Sequence, residues 1–220
     1  MGLSLSPASP QPPGRLITFD GIDGTGKSTQ IARLAETLRA GGHEVLVVRD
    51  PGSTEIGTKL RALLLDSTLH LHRRTEAMLF MASRCEMIEA VIRPALKLGT
   101  IVLSDRFLLA NVVYQSVGGR ESPETLWTMG RLACGGLEPD LTLLLDMPAE
   151  QAMARIDRAA DRMESRGLDY MTAVRDAFRR ELKNAGGSGV VIDAADTPDA
   201  VAAAILTAVT EHGIASPAAD

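Results

Sequence analysis

Eight consecutive residues, Gly21-Ile22-Asp23-Gly24-Thr25-Gly26-Lys27-Ser28, combine three glycines, a lysine and a hydroxyl at the spacing that cradles a polyphosphate. The glycines let the backbone curl until its N–H groups converge on phosphate oxygens, and a following helix N-terminus adds a favourable dipole. Lys27 then neutralises β- and γ-phosphates, Ser28 offers its hydroxyl to Mg²⁺, and Thr29 extends the nucleotide-binding run. A glycine-rich turn with a solvated lysine is the bland alternative, and only context separates the two.

Other groups gather around comparable strand ends. Arg49 closes an apolar run, and Pro51-Gly52 forces a turn just after it, which presents a basic group where ligands collect in open α/β sheets. Asp105-Arg106 likewise follows the apolar stretch Thr100–Ser104. Phe80 and Arg84 lie four apart and share a helix face, where a ring can stack on a base while a guanidinium donates to a pyrimidine carbonyl. The same pair also fits a core phenylalanine beside a solvated arginine. Asn111, Tyr114 and Gln115 recur about one helical turn apart. Arg155, Arg158 and Arg162 interleave with Asp157, Asp161 and Glu164, a pattern that reads as a mobile lid or as a solvated charged face.

The elements that must position these groups alternate. The stretch 15–20 reads as a strand, 27–40 as a helix, and 43–49 as a second strand, fully buried; helices follow at 58–65 and 74–98, the latter with Pro94 near its end. Strands at 100–104, 141–146 and 189–193 are separated by helical patterns at 108–115 and 123–133, with another helix beginning near Ala149 and a last one at 198–209. Helical crossovers make the strands parallel, so the expected fold is an α/β three-layer sandwich on about five parallel strands. Residues 1–14, with Pro7, Pro10, Pro12 and Pro13, read as a disordered tail, 15–212 as one domain with a lid at about 155–166, and 213–220 as a frayed end.

Composition narrows the function. A net charge of −5 argues against a broad nucleic-acid or anionic-membrane surface, and no run approaches the roughly 20 apolar residues of a membrane span. Cys85 and Cys134 read as buried reduced thiols, which fits the cytoplasm. The phosphate loop alone leaves kinase, GTPase and ATPase open. An Asn-Lys-x-Asp guanine-reading motif is absent from the sequence.

Together the phosphate loop, Arg49-Asp-Pro-Gly-Ser-Thr54, Phe80-Met-Ala-Ser-Arg84, Asp105-Arg-Phe107 with Asn111 and Tyr114-Gln115, and Asp161-Arg-Met-Glu164 resemble the bacterial thymidylate kinase pattern. The resemblance implies a P-loop NTPase fold and transfer of phosphate from ATP-Mg²⁺ to dTMP, giving dTDP in a cytoplasmic homodimer joined near residues 80–95. It implies that Arg49 holds the acceptor phosphate, Asp23 faces the sugar 3′-hydroxyl, Phe80 stacks on thymine and Arg84 reads it. Asp105 would stand near the metal, Arg106 would bridge the two phosphates, and Asn111, Tyr114 and Gln115 would contact the nucleotide. Members take a catalytic arginine from the phosphate loop or the lid; Gly24 occupies the loop position, so the lid arginines 155, 158 and 162 are the candidates. Ala110 stands where many members have serine, and Ser53 replaces the second glycine of Pro-Gly-Gly-Thr. The rival readings are a deoxynucleoside kinase, which needs a base to deprotonate a hydroxyl, and a nucleotide-binding regulator without turnover.

Overall fold

A computed structural model describes residues 13–66, 68–119, 121–156 and 167–215. Strands β1 (Arg15–Asp20), β2 (Val45–Arg49), β3 (Ile101–Asp105), β4 (Leu141–Asp146) and β5 (Ser188–Asp193) form one all-parallel sheet in the order β2-β3-β1-β4-β5. Helices cover both faces: α1 (Lys27–Ala40), α2 (Glu55–Leu65), α3 (Arg73–Met87), α4 (Arg93–Lys97), α5 (Leu108–Ser116), α6 (Pro123–Ala133), α7 (Ala149–Ala154), α8 (Leu168–Glu181) and α9 (Pro198–Glu211). β1, β3 and β4 are therefore buried on both sides, and Leu16, Ile17, Phe19, Val102, Leu103, Leu141 and Leu143 are buried.

Phe19 pairs with Asp105, so the carboxyl ends of β1 and β3 lie side by side. That register sets the glycine-rich loop leaving β1 against Asp105 and Arg106 leaving β3. The site is a consequence of the strand order.

Several expected elements shift for local reasons. β2 is an edge strand rather than a fully buried one, and Val47 is 42% exposed. Its outer edge is blunted by side chains: Arg39 Nη2 donates to the Val45 carbonyl at 2.9 Å, and the Ser53 hydroxyl accepts from the Arg49 N–H at 2.7 Å. α2 starts at Glu55 because Thr54 caps it, its hydroxyl accepting from the Gly57 N–H at 2.8 Å. The long helix expected over 74–98 widens into a π segment, Ile88–Ile92, in which the Arg93 N–H reaches back five residues to the Ile88 carbonyl. Pro94 explains the widening, since it has no N–H and its ring crowds the carbonyl four residues before it.

The ends and thiols also differ from expectation. Gly14 donates its N–H to the Leu96 carbonyl at 2.9 Å, and Ile214 and Ala215, expected to fray, are buried. Residues 1–12 and 216–220 lie outside the described residues. Cys134 is buried as expected, whereas Cys85 is exposed.

Gly130 of α6 lies against Leu108 of α5, and a Cβ there would come 2.1 Å from a Leu108 methyl. Leu108 is itself buried and has little room to retreat. Gly130→Ala should destabilise the protein by about 1–3 kcal/mol through overpacking, which a urea-unfolding titration would read.

Candidate active site

The loop after β1 uses its glycines as the motif requires, with Gly21, Gly24 and Gly26 all at positive φ. Gly24 carries a further constraint. A Cβ built on it would lie 2.0 Å from the Ala152 carbonyl oxygen of α7, so no side chain fits at that position of the loop.

Lys27 opens α1 and is buried; its Nζ donates to the carbonyls of Gly21 (3.0 Å) and Ile22 (2.8 Å) and lies 3.7 Å from Asp23. Burial, helped by Arg106, lowers its pKa to about 8. The Thr25 hydroxyl donates to the Ile22 carbonyl at 2.9 Å and closes the loop.

Arg106 crosses from β3 to this loop. Its backbone is left-handed, with φ 72, and its N–H donates to the Phe19 carbonyl at 2.9 Å. Nη1 donates to the Gly21 carbonyl (3.0 Å), and Nη2 to Asp23 (2.8 Å) and to the Tyr114 hydroxyl (3.4 Å), with the guanidinium 5.0 Å from the Tyr114 ring centre. Burial pushes the Tyr114 hydroxyl above its usual pKa, so it stays protonated.

A cavity of about 620 Å³ is lined by Asp23 to Gln30, Arg49, Asp105, Arg106 and Arg155, together with Ala194, Asp196, Pro198 and Val201. Arg155 Nη1 donates to the Ala194 carbonyl at 3.1 Å, joining two residues of this lining. Arg158 and Arg162, with most of the expected lid, lie outside the described residues. Ser28 and Asp105 face the same cavity, and Asp105 Oδ1 is buried without a hydrogen-bond partner among the described residues. A hydroxyl and an available carboxylate oxygen suit Mg²⁺, which takes few protein ligands and completes its shell with phosphate and water. These residues therefore fit the ion that the loop motif implies.

The remaining sequence candidates lie on β2, α3 and α5. The loop after β2 is held residue by residue: Asp50 by Arg84, the Pro51 carbonyl by Arg61 Nη1 at 3.0 Å, the Gly52 N–H by the Ser83 hydroxyl at 3.3 Å, and the backbone of Arg49 by Ser53. Ser53 sits at φ 63, where glycine is easier, and its hydroxyl contacts offset that strain. Arg49 reaches Asp105 at 3.7 Å and is 61% exposed, with its head open to the cavity.

Arg84 is 1% exposed, so it is not a solvated arginine. Its Nε pairs with Asp50, Nη1 donates to Asn111 Oδ1 (3.1 Å) and Nη2 to the Phe107 carbonyl (3.4 Å). Asn111 passes the chain to Gln115 (2.6 Å), and Gln115 to Glu76 (2.9 Å). Burial raises the pKa of Asp50 while Arg84 opposes the rise. Phe80 is half-buried on α3, one turn before Arg84.

Sequence reasoning passed over Arg61, Asp50 and Asp20. Arg61 is half-buried beside the loop after β2, and burial together with nearby Arg49 draws its pKa down. Its signal was Gly57, one turn earlier on the same face of α2, where a Cβ would strike the Gly52 carbonyl at 2.6 Å. Asp20 showed itself only as a charge at the end of an apolar strand.

A family model described as Thymidylate kinase matches residues 19–205. A thymidylate kinase of Rhodopirellula baltica is 67% identical over 200 residues, 91% of this chain and 82% of that protein. One of Thermosipho africanus is 38% identical over 197 residues, 89% and 98% of the two chains. One of Clavibacter michiganensis is 42% identical over 200 residues, 88% and 93%.

Arg84→Ala leaves Asp50 buried without its cation, and the expected loss of stability is about 3–5 kcal/mol. Chemical denaturation of the two proteins gives the comparison. An unchanged midpoint would mean that Arg84 serves only ligand.

Proposed function

The chain belongs to the thymidylate kinase family, and from that premise we propose how its own residues transfer the γ-phosphoryl group of ATP to dTMP. The observation that carries the reading is Arg106, which is bonded to the phosphate loop on one side and to Tyr114 of the acceptor side on the other.

ATP lies along the loop 21–29, with its base toward Arg155, Ala194 and Pro198. Lys27 exchanges the Gly21 and Ile22 carbonyls for β- and γ-phosphate oxygens. Ser28 and Asp105 would hold Mg²⁺, which when bound shields phosphate charge. The dTMP 5′-phosphate is held by Arg49, Arg61 and Arg106, with Asp23 toward the sugar. Phe80 stacks on thymine. Arg84 has five N–H donors and three are engaged, which leaves two for the base. Gln115 acts through Asn111, whose amide it holds.

A 5′-phosphate oxygen of dTMP attacks the γ-phosphorus in line. The new P–O bond forms as the bond from the γ-phosphorus to the β–γ bridging oxygen breaks, and ADP leaves with that electron pair. The nucleophile is already ionised, so no general base is needed and positioning with charge neutralisation supplies the acceleration. That distinguishes the reaction from phosphorylation of a nucleoside hydroxyl. No helix among the described residues is long and apolar enough to cross a membrane. We place the enzyme in the cytoplasm as a homodimer joined through α3, a state that sedimentation would read.

Lys27→Ala and Arg106→Ala should each lower kcat by about 10²–10³-fold; normal turnover in either sinks the assignment. An acceptor panel of dTMP, dUMP, UMP, CMP, AMP, GMP and thymidine should favour dTMP, and preference for AMP or thymidine overturns the reading. Because the Lys27 pKa is lowered to about 8, its charge is lost above that pH. The ratio kcat/KM for ATP should therefore fall by up to about tenfold per pH unit beyond it, while kcat at saturation changes less, since bound phosphates hold the proton on Lys27.

A further inference from the structure

Asp20 ends β1 fully buried, and neither carboxylate oxygen has a hydrogen-bond partner among the described residues. An isolated buried carboxylate is strongly disfavoured. Its surroundings supply the reason it persists. Arg106 grips both chain neighbours of Asp20, donating its N–H to the Phe19 carbonyl and Nη1 to the Gly21 carbonyl, and Lys27 Nζ shares that Gly21 carbonyl.

The charges acting on Asp20 are Lys27 from α1, Arg84 from α3, and Arg106 and Asp105 from the end of β3. Tyr114 of α5 meets Arg106 through its hydroxyl. Asp105 pairs in register with Phe19, so alternation sends its side chain to the face opposite Asp20. Three cations thus act through space on one buried carboxylate that has no hydrogen-bond partner among the described residues.

We propose that Asp20 is an internal countercharge that stands in for phosphate near Arg106 and Lys27, and that it takes up a proton when nucleotide phosphates take those cations over. The inference rests on the reading above, in which Lys27 and Arg106 hold nucleotide phosphates. Burial raises the carboxyl to about 6 against the opposing pull of Arg106, Lys27 and Arg84. At neutral pH it is therefore mostly ionised before binding. Phosphates offset the field of Arg106 and Lys27, the two largest opposing influences, and add negative charge of their own, so only Arg84 still opposes burial and the carboxyl is drawn further upward. One solvent proton joins one carboxylate to give the neutral acid. By linkage, nucleotide affinity then falls as pH rises through this window, by up to about tenfold per unit.

The test is calorimetric titration of Mg-ATP into wild type and Asp20→Asn at pH 7.0, each in PIPES and in imidazole buffer, so that the difference in heat counts protons exchanged per nucleotide bound. Wild type should take up on the order of half a proton or more beyond Asp20→Asn, and the excess should shrink at pH 5.5, where Asp20 is already protonated. Equal proton counts in the two proteins overturn the proposal. Absence of binding to wild type instead overturns the nucleotide-site reading beneath it. Should Asp20→Asn fail to fold, the infrared difference spectrum of wild type on adding Mg-ATP decides: a new protonated-carboxyl band at pH 7.0 that is lost at pH 5.5 supports the proposal, and no such band refutes it.

Discussion

The left-handed arginine at the end of β3 ties the site together. An L residue at φ 72 is strained by about 1–2 kcal/mol, and Arg106 accepts that strain because four sets of contacts fix it: the Phe19 carbonyl, the Gly21 carbonyl, Asp23, and the hydroxyl and ring of Tyr114. These contacts come from three different pieces of the protein. β1, the phosphate loop and α5 must all be seated before the guanidinium finds its place, so the geometry of the centre is a product of the whole sheet.

The region proposed to hold the acceptor is built by a second device. With aromatics at only 3% of the sequence, its wall is a buried polar chain running from Asp50 through Arg84, Asn111 and Gln115 to Glu76. Such a chain is worth little as net stability, but each link fixes the rotamer and orientation of the next. Phe80, standing beside it, needs no ring partner to be held on α3. The loop after β2 is clamped by the same logic, because Arg84, Arg61 and Ser83 each take one of its polar groups.

Strand and helix order, the parallel sheet and the phosphate loop were legible because each rests on local pattern: apolar runs, helical spacing and glycines at fixed offsets. The convergence of Arg49 and Asp105 followed from the rule that ligands gather at strand carboxyl ends. Burial of a charged side chain was not legible. Nothing in the spacing of Phe80 and Arg84 says that the arginine is enclosed by Asp50 and Asn111, since those partners arrive from distant segments. The edge position of β2 was hidden too: Val45, Leu46, Val47 and Val48 read as a buried run whether the strand lies inside the sheet or at its rim. The π segment before Pro94 depends on how a helix absorbs a missing donor rather than on the proline alone.

Gly24 shows how one steric fact distributes charge across the centre. A side chain there would meet the Ala152 backbone, so α7 excludes an arginine from the phosphate loop. Arg155 is turned toward the Ala194 carbonyl, to which it donates. Among the described residues, Lys27 and Arg106 donate to the loop itself, with Arg49 facing the same cavity, and in the proposed reading Lys27 lies on the donor flank and Arg106 between donor and acceptor. A cation shared by two phosphates is worth most when they are closest, which is the geometry of transfer. Its stabilisation thus grows along the reaction coordinate rather than being spent on either substrate alone, and that difference is what accelerates a reaction.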